Sequence, residues 1–91
     1  MATGYQASKG KLLNRLSRIE GQVRGVSRMV EEERYCIDVL TQIGAIEAAL
    51  DKVALGLIDD HTRNCLADAK GSEQAEKLDE LMGALGRFVA R

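Results

Sequence analysis

From Ser8 to Glu33 the apolar side chains fall at Leu12, Leu16, Ile19, Val23, Val26 and Val30, in alternating gaps of four and three. Such a series lines up along one side of an α-helix, so the pattern predicts an amphipathic helix with a narrow apolar seam. Ser8 stands where an N-cap belongs, and the acidic run "EEER" closes the pattern, which puts a turn near Arg34. A second series keeps helical spacing from about Tyr35 to about Ala69: Leu40, Ile43, Ile46, Leu50, Val53, Leu57 and Ile58. Gly44 and Gly56 fall inside it, and each weakens a helix by about 1 kcal/mol relative to alanine. Neither is joined by a proline or a turn cluster, so one long helix is expected, with Gly56 the place where it would kink. Gly71 fits the C-cap of that helix and Ser72 the N-cap of a third, whose apolar face is Leu78, Leu81, Met82, Leu85 and Phe88. The chain has no proline, linker or internal repeat. The expectation is one all-α domain over residues 1–91, a three-helix chain.

A chain of 91 residues with three aromatics is close to the lower limit for burying a useful core alone, so association with further copies is expected. No run of 18 apolar residues exists to span a membrane, and "MATGYQASKG" lacks the apolar centre of a secretion signal, which makes the cytoplasm the default. In a reducing compartment two cysteines are more often thiols or metal ligands than a disulfide. An enzyme is not expected. One histidine and two cysteines would make a nucleophile pair, but nothing in the sequence supplies an oxyanion hole or a pocket for a small-molecule substrate.

The net charge of −1 conceals an asymmetry. Residues 1–30 carry Lys9, Lys11, Arg15, Arg18, Arg24 and Arg28 against Glu20 alone, a net of +5, whereas residues 31–91 carry seven basic and thirteen acidic side chains, a net of −6. Basic residues gathered on one element are the footprint of a polyanionic partner, although a solvated helix face has the same composition. Lys11, Arg15 and Arg18 fall within about 60° of one another around the first helix, beside the seam.

The stretch "IDDHTRNC" holds the only histidine, His61, four residues before Cys65. On a helix the two share one face, one turn apart. The other thiol, Cys36, lies 25 residues upstream of His61, about 37 Å away along a continuous helix, whereas a metal bridging them would need bonds of about 2.0–2.3 Å. Two copies packed antiparallel bring the start of one helix beside the end of the other, which predicts a dimer with two equivalent sites, each drawn from both chains. Two thiolates and one imidazole suit trigonal Cu(I). A water would complete a tetrahedral zinc site, and a surface histidine with two small core thiols fits the same residues.

"RLSRIEGQVRGVSRMVEE" followed by "YCIDVLTQIGAIEAALDKVALGLIDDHTRNC" resembles the copper-sensing repressor (CsoR) family, over residues from about Lys9 to Leu85. The resemblance implies an antiparallel four-helix-bundle homodimer that pairs into a homotetramer, a dimer of dimers. It would bind operator DNA when metal-free and release it on Cu(I) binding across the dimer interface, derepressing copper-resistance genes. It also implies Cys36, His61 and Cys65 as the ligands, with Tyr35 and, in "LDEL", Glu80 around them. A carboxylate beside the imidazole would orient it through its free nitrogen. Nickel- and cobalt-sensing relatives resemble a Cys-His-His pattern with an added N-terminal histidine, and formaldehyde-sensing relatives lack the full copper set. Persulfide-sensing relatives keep two cysteines without the histidine.

Lys11, Arg15, Arg18 and, on the second helix, Lys52 resemble the positions through which this family contacts DNA, Lys52 standing where arginine is common. The sequence carries no helix-turn-helix or zinc-finger signature, so readout through phosphates and DNA shape, with steep salt dependence, is expected. Two other readings use the same cysteines: a thiol- or persulfide-responsive repressor of the same fold, and a helical copper-buffering protein that never touches DNA.

Overall fold

The computed structural model describes residues 4–67 and 69–90. A single 3-10 turn, Gln6–Ser8, runs into helix α1, Lys9–Glu31; α2 spans Cys36–His61 and continues as a π-helical turn, Thr62–Leu66; α3 spans Gly71–Ala90. Ser8 precedes α1 but its side chain caps nothing. The 3-10 turn replaces that cap, because the Ser8 N–H donates to the Tyr5 carbonyl at 3.0 Å and the Lys9 N–H to that of Gln6.

α1 ends in a Schellman motif. The Arg34 N–H donates to the Met29 carbonyl at 2.9 Å and the Glu33 N–H to the Val30 carbonyl at 3.0 Å, with Glu33 in the left-handed region at φ 54° where glycine is usual. Tyr35 then turns extended, and its carbonyl accepts the first α2 bonds from the N–H groups of Asp38 and Val39. α2 passes through Gly44 and Gly56 as one helix, so Gly56 marks no break. It stops short of the expected Ala69: the Ala67 N–H reaches back five residues to the Thr62 carbonyl, closing the π turn. Thr62 also donates its hydroxyl to the Ile58 carbonyl at 2.9 Å, a side-chain bond that competes with the regular ladder at this point. Gly71 is neither a C-cap nor followed by a Ser72 N-cap; it opens α3 itself, at φ 60°.

α1 and α2 pack antiparallel, Leu12 lying against Gly56 near one end and Ile19 beside Ala49 further along. Their shared core is Leu12, Ile19, Ile46 and Val53, flanked by Leu16, Val26, Ala49 and Leu57. The α1 seam is thereby split. Leu12 and Ile19 are 7% and 6% exposed, but Val23 and Val30 keep 48% and 61% of their surface in solvent. On α2, Ile37, Leu40, Ile43, Leu50 and Leu55 are likewise exposed, and α3 has no buried residue; it meets the rest of the chain chiefly at the π turn. The molecule measures 57 × 29 × 15 Å. Its thickness is little more than one helix with side chains, about 10–12 Å, and its radius of gyration of 17.2 Å compares with about 12 Å for a globular chain of this length.

Candidate metal centre and basic groove

The last turn of α2 and the π turn after it present His61 and Cys65 together, both half-buried. Residue Gly4 closes over them. A Cβ on Gly4 would stand 2.9 Å from Cys65 Sγ and 3.1 Å from His61 Cα, and Gly4 holds a φ of 91°. Asn64 Nδ2 donates to the Gly4 carbonyl at 2.8 Å, fastening the N-terminal segment to the π turn. A tight backbone approach with positive φ is open to glycine alone, which accounts for the residue at this position.

Arg63, within the same turn, faces away from this contact. Its Nε donates to Asp59 Oδ1 at 2.9 Å, one helical turn back. The hydrogen bond and then the charge of Asp59, with a smaller contribution from Asp60, hold the guanidinium above its ordinary pKa.

The other sequence-derived ligand, Cys36, is the first residue of α2, exposed, at the far end of the same unbroken helix. Neither cysteine is in a disulfide. Among the described residues no three His, Cys, Asp or Glu side chains converge within one chain. His61 and Cys65 thus offer an imidazole and a thiol, and Cys36, the remaining candidate, lies an α2 length away. Tyr35 precedes Cys36 at the N-cap, and Glu80 is on the exposed surface of α3.

The basic residues do share a surface. A groove of about 360 Å³ between α1 and α2 is lined by Arg15, Arg18, Gln22 and Lys52, with Ile19 and Ala49 as its floor. It continues past Arg15 into a cleft bordered by Lys11, Ser8, Asp59 and Asp60. Gln22 escaped the sequence reading, which followed charge; its spacing from Arg15 and Arg18 was the available signal. Gly4, Asn64 and the π turn had no signal in the periodicity at all. Arg24 borders a different, apolar hollow with Leu16, Glu20 and Val23.

The family model for metal-sensitive transcriptional repressors matches residues 8–87. The copper-sensing transcriptional repressor RicR of Mycobacterium tuberculosis is 50% identical, over 97% of this chain and 95% of that protein. The copper-sensing transcriptional repressor CsoR of Bacillus subtilis is 48% identical, over 89% of this chain and 81% of its own length. Among solved structures, the copper-sensing repressor CsoR with Cu(I) from Geobacillus thermodenitrificans superposes with a TM-score of 0.86 at 45% identity, covering 92% of this chain and 88% of that one. The nickel-responsive transcriptional regulator InrS superposes with a TM-score of 0.76 at 49% identity, covering 87% and 90%.

Proposed function

This chain belongs to the metal-sensitive transcriptional repressors, and on that premise we propose that it is a cytoplasmic, Cu(I)-responsive repressor whose metal-free form holds operator DNA. The observation that carries the reading is the placement of an imidazole and a thiol, His61 and Cys65, at one end of an unbroken α2 and of the thiol Cys36 at the other. An antiparallel second copy supplies the third ligand, so that His61 and Cys65 of one subunit and Cys36 of the partner subunit hold the ion. Tyr35 comes with Cys36, and Glu80 orients the His61 imidazole. Relatives named for copper and for nickel are both similar to this chain, so overall similarity does not select the metal. The donor set does: two thiolates favour a soft ion, and the chain has one histidine to offer.

Association follows from the unfinished seams. Val23 and Val30 on α1 and Leu40, Ile43 and Leu50 on α2 expose apolar surface that a one-layer hairpin cannot cover; burying it returns about 25 cal/mol for each Å². A homodimer that closes a four-helix bundle from two α1–α2 hairpins covers it, and pairs of dimers form the homotetramer.

Operator DNA is held by Lys11, Arg15, Arg18 and Lys52 along the α1–α2 groove, through phosphates. Metal binding ties the end of one α2 to the start of the other, and the packing that suits this tie presents the groove differently from the packing that suits DNA. The two ligands must then weaken each other by the same factor. The test is fluorescence anisotropy of an operator duplex under anaerobic conditions. Stoichiometric Cu(I) should release the protein while Zn(II) and Ni(II) leave it bound; release by Ni(II) alone would make this a nickel sensor.

A further inference from the structure

The basic groove continues past Arg15 into a cleft whose far wall carries two carboxylates. Lys11, Arg15 and Ser8 of the α1 end face Asp59 and Asp60 of the last α2 turn across a cleft of about 160 Å³, with Gly56 and Leu12 at its base. The two acids are not equivalent. Asp59 is engaged by Arg63 at 2.9 Å, whereas Asp60 is half-buried and adjoins His61 in the chain. No ion pair within 4.0 Å joins either acid to Lys11 or Arg15 among the described residues.

Resting on the proposed DNA-binding role of this groove, we infer that Asp60 is a positioning residue that sets how far Lys11 and Arg15 are available to phosphate. The physical basis is competition. A carboxylate facing these cations across a narrow cleft attracts the same groups that operator phosphates must attract. Gly56 and Leu12 line the base of the cleft between the two charged walls. Because Asp60 is the neighbour of His61, any rotation of the last α2 turn that accompanies ligand capture carries Asp60 with it. Rotation toward α1 pairs Asp60 with Lys11 or Arg15 and withdraws a cation from the DNA. One phosphate contact fewer also lowers the salt dependence of binding.

The test uses the full-length protein and a duplex enriched from a random pool on the wild-type chain. Asp60→Asn should bind that duplex several-fold more tightly without metal and retain more of its binding in saturating Cu(I). In saturating Cu(I) its slope of log affinity against log salt should also be steeper by up to about 0.9. Asp60→Glu, which keeps the charge, should behave as wild type. Glu73→Gln on α3 makes the same change in net charge away from the groove and should alter neither quantity. Equal effects from Glu73→Gln and Asp60→Asn, or an unchanged slope in Asp60→Asn while Arg15→Ala weakens binding, would overturn the role of Asp60 and leave the DNA face intact. Unchanged binding in Arg15→Ala would instead remove the DNA face, and this inference with it.

Discussion

Gly4 lies against Cys65 so closely that a Cβ on Gly4 would stand 2.9 Å from Sγ, and the Gly4 carbonyl is held by Asn64 at 2.8 Å. The segment that leads into α1 is therefore seated on the same turn that carries two metal-ligand candidates. Gly4→Ala meets both a steric overlap and an unfavourable φ of 91°. The segment should lift, and Cys65, studied alone in a Cys36→Ala background, should react several-fold faster with a disulfide reagent. Asn64→Ala should produce a smaller increase. Unchanged labelling in both variants would mean that this contact does not shield the thiol.

Glu33 occupies the left-handed position of the α1 Schellman motif at φ 54°. That conformation costs an L-residue about 1–2 kcal/mol, a cost glycine escapes. Part of the gain is returned through the greater freedom of glycine in the unfolded chain, so Glu33→Gly should stabilise the fold by about 0.5–1 kcal/mol. Urea unfolding at fixed protein concentration measures it; a lower midpoint would contradict the account of this turn.

Ile19 and Val23 lie one helical turn apart on α1 with opposite fates, one buried within the hairpin and one left in solvent. Ile19→Ala should cost about 2–4 kcal/mol of stability. Val23→Lys should leave the helical content of the chain intact while weakening its self-association, read by sedimentation velocity as a shift toward smaller species. A dimer of undiminished affinity in Val23→Lys would take this half of the seam out of the interface.

That split explains what the sequence made legible. The alternation of fours and threes gave the helices, because periodicity records which side chains share a face. It does not record which neighbour covers that face, so Leu12 and Val23 read as members of one seam. The candidate ligands His61 and Cys65 were legible as a pair from their spacing, and the separation of Cys36 from its place at the start of α2. The π turn was not, since Thr62 and Asn64 look like ordinary helix residues; the extra residue in the turn follows from hydrogen bonds that no periodicity encodes. Ser8 does stand at the N-cap of α1, but its side chain makes no capping bond, and the turn before it supplies the hydrogen bonds instead. The Gly4 contact joins residues 60 positions apart, beyond the reach of any local pattern.

Arg15 borders both the basic groove and the acidic cleft. Arg15→Ala should weaken operator binding and make its salt dependence shallower by about 0.9, while Cu(I) affinity in the absence of DNA stays nearly unchanged. Loss of Cu(I) affinity in this variant would tie Arg15 to the metal site.

In the proposed assembly each metal site takes Cys36 from one chain and His61 with Cys65 from another. Mixing Cys36→Ala and His61→Ala proteins in equal amounts, with subunit exchange verified by native mass spectrometry, tests it through an anaerobic Cu(I) titration against a chelator. Neither variant alone should hold Cu(I) with wild-type affinity, whereas each mixed dimer regains one intact site, about one for every four chains after random exchange. Exchange without any recovery of tight Cu(I) binding would contradict a site shared between chains.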